Sequence, residues 1–325
     1  MYGPWEQVAS TIAEGLFQRG LDVTLFATGD SITSGRLEWV CKRPYAEDNG
    51  ADPKVSECLH ISHLMEQADR FDIIHNNFDF LPLTYSRLIN TPMITTIHGF
   101  SSPEIVPVYK KYNGSAYISI SDADRHPELD YLRTIYHGID QDEFTFRDKK
   151  DPYLLYFGRI HPDKGTHTAI EIARRSRYPI KIAGLVQDHD YFEEHVKPHI
   201  DDDQVMYLGN AGPSLRNELL AGAVALLHPI AFDEPFGLSV VESMMCGTPV
   251  IAFARGSMCE LIVDRVTGYL VNNTEEAVSA VRKINRIDHH ACREHAILNF
   301  SRERMIDEYV DAYEKVLKYA SVNSR

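Results

Sequence analysis

A chain of 325 residues with 33 Lys and Arg against 47 Asp and Glu carries a formal charge of −14. No basic patch stands out, which argues against a nucleic-acid partner, whose phosphates call for Lys and Arg gathered on one face. Five scattered cysteines (Cys41, Cys58, Cys246, Cys259, Cys292) form neither a CxxC pair nor a disulfide framework, so a reducing, cytoplasmic home is expected. No signal peptide opens the chain and no apolar run reaches the ~20 residues of a membrane span, which leaves only peripheral membrane contact open.

In chain order, Trp5, Val8, Ala9, Ile12, Ala13 and Leu16 recur at helical spacing, and Gly20 supplies a C-cap. Val23–Ala27 reads as a buried strand and residues 41–56 as a polar, turn-rich surface excursion. Phe71–His75, Met93–His98, Ala116–Ile120 and Arg133–Tyr136 read as further strands. His137 to Pro152, with Gly138 and charges through Lys150, is the best domain boundary. Beyond it strands are expected at Tyr153–Phe157, Ile180–Ala183, Val205–Leu208, Val224–Leu227, Val250–Phe253 and Tyr269–Val271. Helices fit between and after them at 164–176, 214–220, 237–246, 257–264 and 274–284, followed by a helical tail from about Asp288 to Tyr319.

This α/β alternation belongs to open, doubly wound parallel sheets, and the length suits two domains of about 150 residues each. The expected division is an N-terminal Rossmann-like domain over 1–145, a C-terminal one over 146–300, and a helix over 301–325 able to pack back on the first. The start is irregular. Doubly wound logic wants a strand before the helix at 5–19, yet the numbering begins four residues ahead of it. The first domain is therefore expected to lack its first, central strand in this numbering, because those residues lie upstream or because the topology is rearranged.

The strongest local signal is Tyr156-Phe-Gly-Arg-Ile-His-Pro-Asp-Lys-Gly165. A buried strand ends at Phe157, Gly158 lets the backbone turn, and Lys164 stands where the next helix begins. Free N–H groups at such a turn make an anion site, and Arg159 with Lys164 would add charge-assisted bonds to a diphosphate; a solvent-facing turn with incidental charges has the same spacing. In the second signal, Glu234-Pro-Phe-Gly-Leu-Ser-Val-Val-Glu242, one acid lies in a loop and the other inside a small, apolar helix. Glu242 there can accept from a ribose diol, while the helix start at Gly237, Leu238 and Ser239 can face a phosphate. The helix dipole alone accounts for Glu234 better than for Glu242.

His98 follows a strand directly, at the carboxyl end where α/β sheets bind ligands, though a satisfied strand-end histidine is equally consistent. His75, Asn76 and Asn77 follow another strand end with a weaker case. No His, Cys, Asp or Glu set has metal-ligand spacing, so no metal is expected. A Gly-x-Ser-x-Gly elbow, a Walker lysine and a Gly-x-Gly-x-x-Gly fingerprint are also missing, which argues against serine hydrolases, P-loop ATPases and dinucleotide oxidoreductases.

Taken together, Gly158, Arg159, Lys164 and Gly165, the Glu234-x7-Glu242 pair, Gly247-Thr248-Pro249-Val250, Gly256, Glu260 and Gly268 resemble the donor domain of the family 4 retaining glycosyltransferases, the glycosyl transferases group 1. The resemblance implies a GT-B fold, two Rossmann-like domains facing across a cleft. It places the donor diphosphate on Gly158, Arg159 and Lys164, the donor sugar on Glu234, the ribose on Glu242, and sugar and phosphate along Phe236, Gly237 and Leu238. Gly184 falls with the base and phosphate side. In the first half His98-Gly99 matches the family histidine near the reaction centre, Ser121 with Asp122 and Arg125 matches a segment facing the cleft, and Tyr136–Asp140 matches the interdomain crossover. Gly3 and Pro4 stand where the family carries an acceptor-side glycine-rich loop, here altered, and Asn77 joins that side.

The implied reaction is retaining transfer of a hexosyl group from a nucleotide-diphosphate sugar to an acceptor hydroxyl, with His98, Arg159, Lys164 and Glu234 as catalytic residues and no cofactor or metal. The acceptor is a small molecule, a glycan or a lipid-linked sugar. A sugar-nucleotide epimerase or inverting GT-B enzyme, and an inactive sugar-nucleotide-binding protein, are the alternatives.

Overall fold

The computed structural model describes residues 4–47, 50–99 and 101–323. The chain forms two compact units: one runs through Ile120, includes Arg125–Gly138 and resumes at Arg302; the other comprises Ser121–Asp124 and Ile139–Ser301.

The first unit opens with helix α1 (Pro4–Gln18), strands β1 (Thr24–Phe26) and β2 (Arg36–Glu38), helix α2 (Pro53–Met65) and strand β3 (Ile74–Asn76). It continues with β4 (Met93–Ile97), α3 (Val106–Lys111), β5 (Ala116–Ser119) and β6 (Arg133–Thr134). All pairings are parallel, but they form two sheets, β1-β2 and β3-β4-β5-β6, with no strand ahead of α1 among the described residues. Every residue of β4 is buried, as in a strand covered on both faces, whereas β1 is half-buried throughout. The core gathers Ile61, Met65, Ile74, Met93, Ile97 and Tyr117, and the Tyr117 hydroxyl donates to the carbonyls of Tyr109 at 2.9 Å and Tyr112 at 2.8 Å.

Two expectations shift here. The strand expected at Phe71–His75 starts three residues later, because Ala68–Arg70 is a 3-10 turn that Phe71 N–H closes onto the Ala68 carbonyl. The surface excursion at 41–56 ends in α2: Asp52 caps it by accepting from Val55 N–H at 3.1 Å, and Pro53 fits its first turn. Only Ile61 and Met65 of α2 are buried, so its apolar periodicity is weak.

The second unit contains β7 (Leu154–Phe157), α4 (Thr166–Ser176), β8 (Ile180–Ala183), the short α5 (His189–Tyr191), β9 (Val205–Tyr207), α6 (Pro213–Gly222) and β10 (Ala225–His228). Then follow α7 (Leu238–Met245), β11 (Val250–Phe253), α8 (Met258–Leu261), β12 (Gly268–Val271), α9 (Thr274–Val281) and α10 (His289–Phe300). Its single parallel sheet runs β12-β11-β10-β7-β8-β9. That is the doubly wound order, and it reverses direction between β7 and β10, where the carboxyl ends of strands open a ligand site. Both switch-point strands are buried along their whole length.

The tail is two helices, divided at Ser301. Ser301 adopts an extended ψ of 151° and bridges to Ile139, and α11 (Arg302–Asn323) then joins the first unit. There the Tyr313 hydroxyl is 2.8 Å from His75 Nδ1 and the Tyr309 hydroxyl 2.9 Å from Thr96 Oγ1, so α11 seals one face of β3 and β4.

Candidate active site

In the second unit the turn after β7 is built by close backbone approach. Gly158 N–H donates to the Ala183 carbonyl at 3.1 Å, and Gly184, with φ +155°, would place a Cβ 1.8 Å from the Gly158 carbonyl oxygen. The turns after β7 and β8 therefore touch only because residue 184 is glycine; a Cβ on Gly158 would meet nothing closer than the Tyr156 hydroxyl at 3.8 Å. Gly165, with φ +70°, caps α4 and lies where a Cβ would meet the Pro229 carbonyl oxygen at 2.1 Å. This brings the β7–α4 loop against the loop that follows β10 and sets Lys164 beside Glu234.

Lys164 Nζ donates to Glu234 Oε2, and the same ammonium sits 4.7 Å from the centre of the Phe232 ring. His228, the last residue of β10, brings Nε2 to 3.6 Å from that carboxylate oxygen. Burial pushes the Glu234 carboxyl up, but the His228 imidazole 3.6 Å away and the charge and hydrogen bond of Lys164 outweigh it and hold the group at about 2. His228 itself is lowered, chiefly by burial, against the opposing pull of Glu234. At neutral pH the cluster pairs the Glu234 carboxylate with a neutral imidazole beside Lys164.

The loop carrying Glu234 is held from several sides. Ser257 N–H donates to the Glu234 carbonyl at 2.9 Å, Ser257 Oγ donates to the Phe236 carbonyl, and Ser121 Oγ donates to the Pro235 carbonyl at 2.7 Å. Phe236 is buried edge-on against Phe300. Gly237 is the N-cap of α7 and Leu238 its first residue. Ser121, expected in a segment facing the cleft, thus holds the Glu234 loop, and Glu260 accepts from the neighbouring N–H groups of Asp122 at 2.8 Å and Ala123 at 2.7 Å. Arg125 lies in the first unit, its guanidinium stacked 5.0 Å from the Tyr131 ring.

Glu242 lies on α7 and is only 4% exposed. Its Oε1 accepts from Arg216 Nη1 at 3.0 Å. Burial raises its carboxyl to about 6 against the pull of Arg216. Arg159 is exposed and donates to Gln187 Oε1, at the rim of the same turn.

In the first unit His98 follows β4 and is 7% exposed. Its Nε2 donates to Asn77 Oδ1 at 3.0 Å, and its Nδ1 is buried without a hydrogen-bond partner among the described residues. Burial lowers the imidazole to about 4, so it is neutral with the Nδ1 lone pair unused. His137 stacks on it at 5.2 Å and Trp5 at 6.5 Å. His75, by contrast, has both ring nitrogens bonded, to Tyr313 and to Thr96, and is a satisfied core histidine. Gly3 lies outside the described residues, and Pro4 opens α1.

Two site residues have little sequence signal. His228 falls one position beyond the expected strand Val224–Leu227 and shares the strand-end placement of His98, the one clue that could have found it. Arg216 is an ordinary position in a helix. Among the described residues no group of three or more His, Cys, Asp or Glu could hold a metal ion, and no helix is long and apolar enough to cross a membrane.

Two Rossmann-like domains with parallel sheets, the second in doubly wound order with a cation-bearing glycine turn at its switch point, define the GT-B class. The fold is shared with Anabaena HepE solved in complex with UDP and glucose, at a TM-score of 0.74 and 20% identity over 96% of each chain. Residues 139–304 match the Glycosyl transferases group 1 family, and the chain belongs to it. The chain is 30% identical to a glycogen synthase of Mycobacterium tuberculosis over 296 residues, 77% of this chain and 71% of that one. It is 33% identical over 171 residues to an uncharacterized 41.2 kDa protein in the cps region of Klebsiella pneumoniae. The chain spans 46% of that protein's length, and about a quarter of other curated relatives.

Proposed function

We propose that the protein transfers a hexosyl group from a nucleoside-diphosphate sugar to an acceptor hydroxyl with retention at the anomeric carbon. The observation that carries this reading is the buried Lys164–Glu234 pair at the sheet's switch point, flanked by glycines that admit a ligand's phosphates to the backbone. Without donor, the ammonium and carboxylate neutralise each other. An arriving diphosphate competes for Lys164, which leaves Glu234 free to accept from hydroxyls of the donor sugar. Arg159 adds the second cation at the rim, and the two stabilise charge on the departing diphosphate.

In the transfer step the acceptor oxygen forms a bond to the anomeric carbon on the face from which the diphosphate departs. The bond from that carbon to the phosphate oxygen breaks with its electron pair going to the diphosphate, which takes up the acceptor's proton. On the first unit, neutral His98 offers Nδ1 to a sugar hydroxyl. The acceptor is a small molecule, a glycan or a lipid-linked sugar, and UDP-sugars are the first donors to test, given the UDP and glucose in HepE. Five free cysteines support a reducing, cytoplasmic setting.

Replacing Arg159 and Lys164 together by alanine is expected to lower turnover by about a thousand-fold or more, on the scale of losing preorganised charge stabilisation. Transfer at the wild-type rate by that variant sinks the assignment. A second reading, a sugar-nucleotide-binding protein without turnover, draws on the divided sheet of the first unit. It predicts calorimetric binding of UDP, GDP or ADP with no transfer to any acceptor class.

A further inference from the structure

Arg216 is 8% exposed, on α6, and no part of the diphosphate or sugar chemistry above uses it. Its guanidinium is fixed on three sides. Nη1 donates to Glu242 Oε1 at 3.0 Å, Nη2 stands 3.7 Å from Glu143 Oε2, and the plane lies 5.1 Å over the ring of the buried Phe144. Its Nε is buried with no hydrogen-bond partner among the described residues. A buried charge held this way is costly unless geometry and hydrogen bonds compensate, and an apolar residue of similar volume would tie α6 to α7 as well.

What an arginine supplies is control of the carboxylate. Burial drives Glu242 toward its neutral form, which accepts hydrogen bonds weakly; the guanidinium favours the ionised form and engages one oxygen in a directional bond. Oε2 of Glu242 makes no hydrogen bond in the described structure and is not sealed from solvent. We infer that Arg216 is the positioning residue of a ribose subsite: it holds Glu242 by Oε1 so that Oε2 is aimed and charged to accept from the 2′- and 3′-hydroxyls of the donor nucleoside. This rests on the transferase reading, in which Glu242 meets the ribose.

The test compares binding of the tightest of UDP, GDP and ADP with its 2′-deoxy analogue, in wild type and in Arg216→Met and Arg216→Lys. A hydrogen bond to a charged acceptor corresponds to about 10- to 100-fold in affinity, so wild type should prefer the ribose form by about that factor. Arg216→Met should weaken ribonucleotide binding about 10-fold, hardly change deoxy binding, and bring the ratio to about 3 or less. Its donor KM should rise with kcat held within a few-fold, and Arg216→Lys should restore part of the ratio. Circular dichroism and thermal unfolding establish that the variants fold; if Arg216→Met does not, Arg216→Lys still loses the planar fork and should show an intermediate ratio. A folded variant that keeps the full ribose preference overturns the inference and leaves Arg216 a helix tie. Wild type that binds a diphosphate without ribose preference also overturns it, with the transferase reading intact. Wild type that binds none of the three sinks that reading, and this inference with it.

Discussion

The two units carry the same kind of strand but organise it differently. The second has six parallel strands in one sheet, and its site polar groups are locked in ion pairs: Lys164 with Glu234, Arg216 with Glu242. Among the described residues the first divides six strands between two sheets, and its candidate site is a neutral stack of His98, His137 and Trp5 around an amide, Asn77. Continuous sheet and tight glycine contacts make the second unit's charged cluster a preorganised electrostatic surface. The first unit offers hydrogen-bonding imidazoles without charge. On the proposed reading, a charged diphosphate donor and a hydroxyl acceptor would call for this difference.

The largest expected effect breaks the rigid side. Gly184→Ala drives a Cβ into the Gly158 carbonyl at a φ that side chains avoid. It should cost about 3 kcal/mol in urea unfolding and remove nucleoside-diphosphate binding. The matching change in the first unit, Gly114→Ala, meets nothing within 4 Å, and should stay within about 0.5 kcal/mol of wild type.

Acid separates the units next. Burial holds His98 at about 4 and His75 at about 3, both below an ordinary 6.5. A depressed histidine binds fewer protons folded than unfolded, so stability falls as pH drops below 6.5, by on the order of 3 kcal/mol for His98 once pH reaches its folded value. Glu234, held at about 2 against an ordinary 4.5, keeps its contribution above 4.5 and loses it only as pH falls toward 2. On β10 His228 is lowered in the same direction but Glu234 opposes the shift, so hydrogen exchange between pH 6.5 and 4.5 should show β3 and β4 loosening before β7 and β10. Loosening of the second sheet first would contradict the contrast.

A subtler effect concerns Glu242, raised to about 6 from 4.5. Its folded form binds the extra proton between those values, so it lowers stability as pH rises from 4.5 to 6, and Glu242→Gln should remove that slope, on the order of 2 kcal/mol. Equilibrium unfolding of variant and wild type over this range reads it directly. The smallest effect sharpens the neutral side. Asn77→Leu removes the acceptor that keeps the proton on His98 Nε2. We expect kcat to fall about 10-fold, less than the roughly 100-fold or more of a full general acid–base contribution, with nucleoside-diphosphate affinity unchanged and a changed tautomer visible in the imidazole nitrogen NMR shifts.

Legibility followed the range of each interaction. Gly158, Lys164, Gly165, Glu234 and Glu242 were readable because a strand-to-helix turn imposes local spacing and glycine on its own residues. Ile180–Ala183 and Val250–Phe253 were readable to the residue because continuous apolar runs bounded by turns mark buried strands. Helix α2 was hidden, since only two of its residues are buried and periodicity had little to show, although Asp52-Pro53 marks its start. The late start of β3 depends on a 3-10 turn that composition does not advertise.

The sequence by itself determined the alternation of strands and helices, the glycine turns and the spacing of Glu234 and Glu242, because these depend on neighbours a few residues away. Only the tertiary structure decided that Lys164 and Glu234, 70 residues apart, share a hydrogen bond, and that Arg216 reaches Glu242. It also decided that Ser121 bonds the Pro235 carbonyl and that Tyr313 closes on His75 across 238 residues. Such partners are chosen by strand order and helix packing, and a linear pattern records which residues can pair without recording which ones meet.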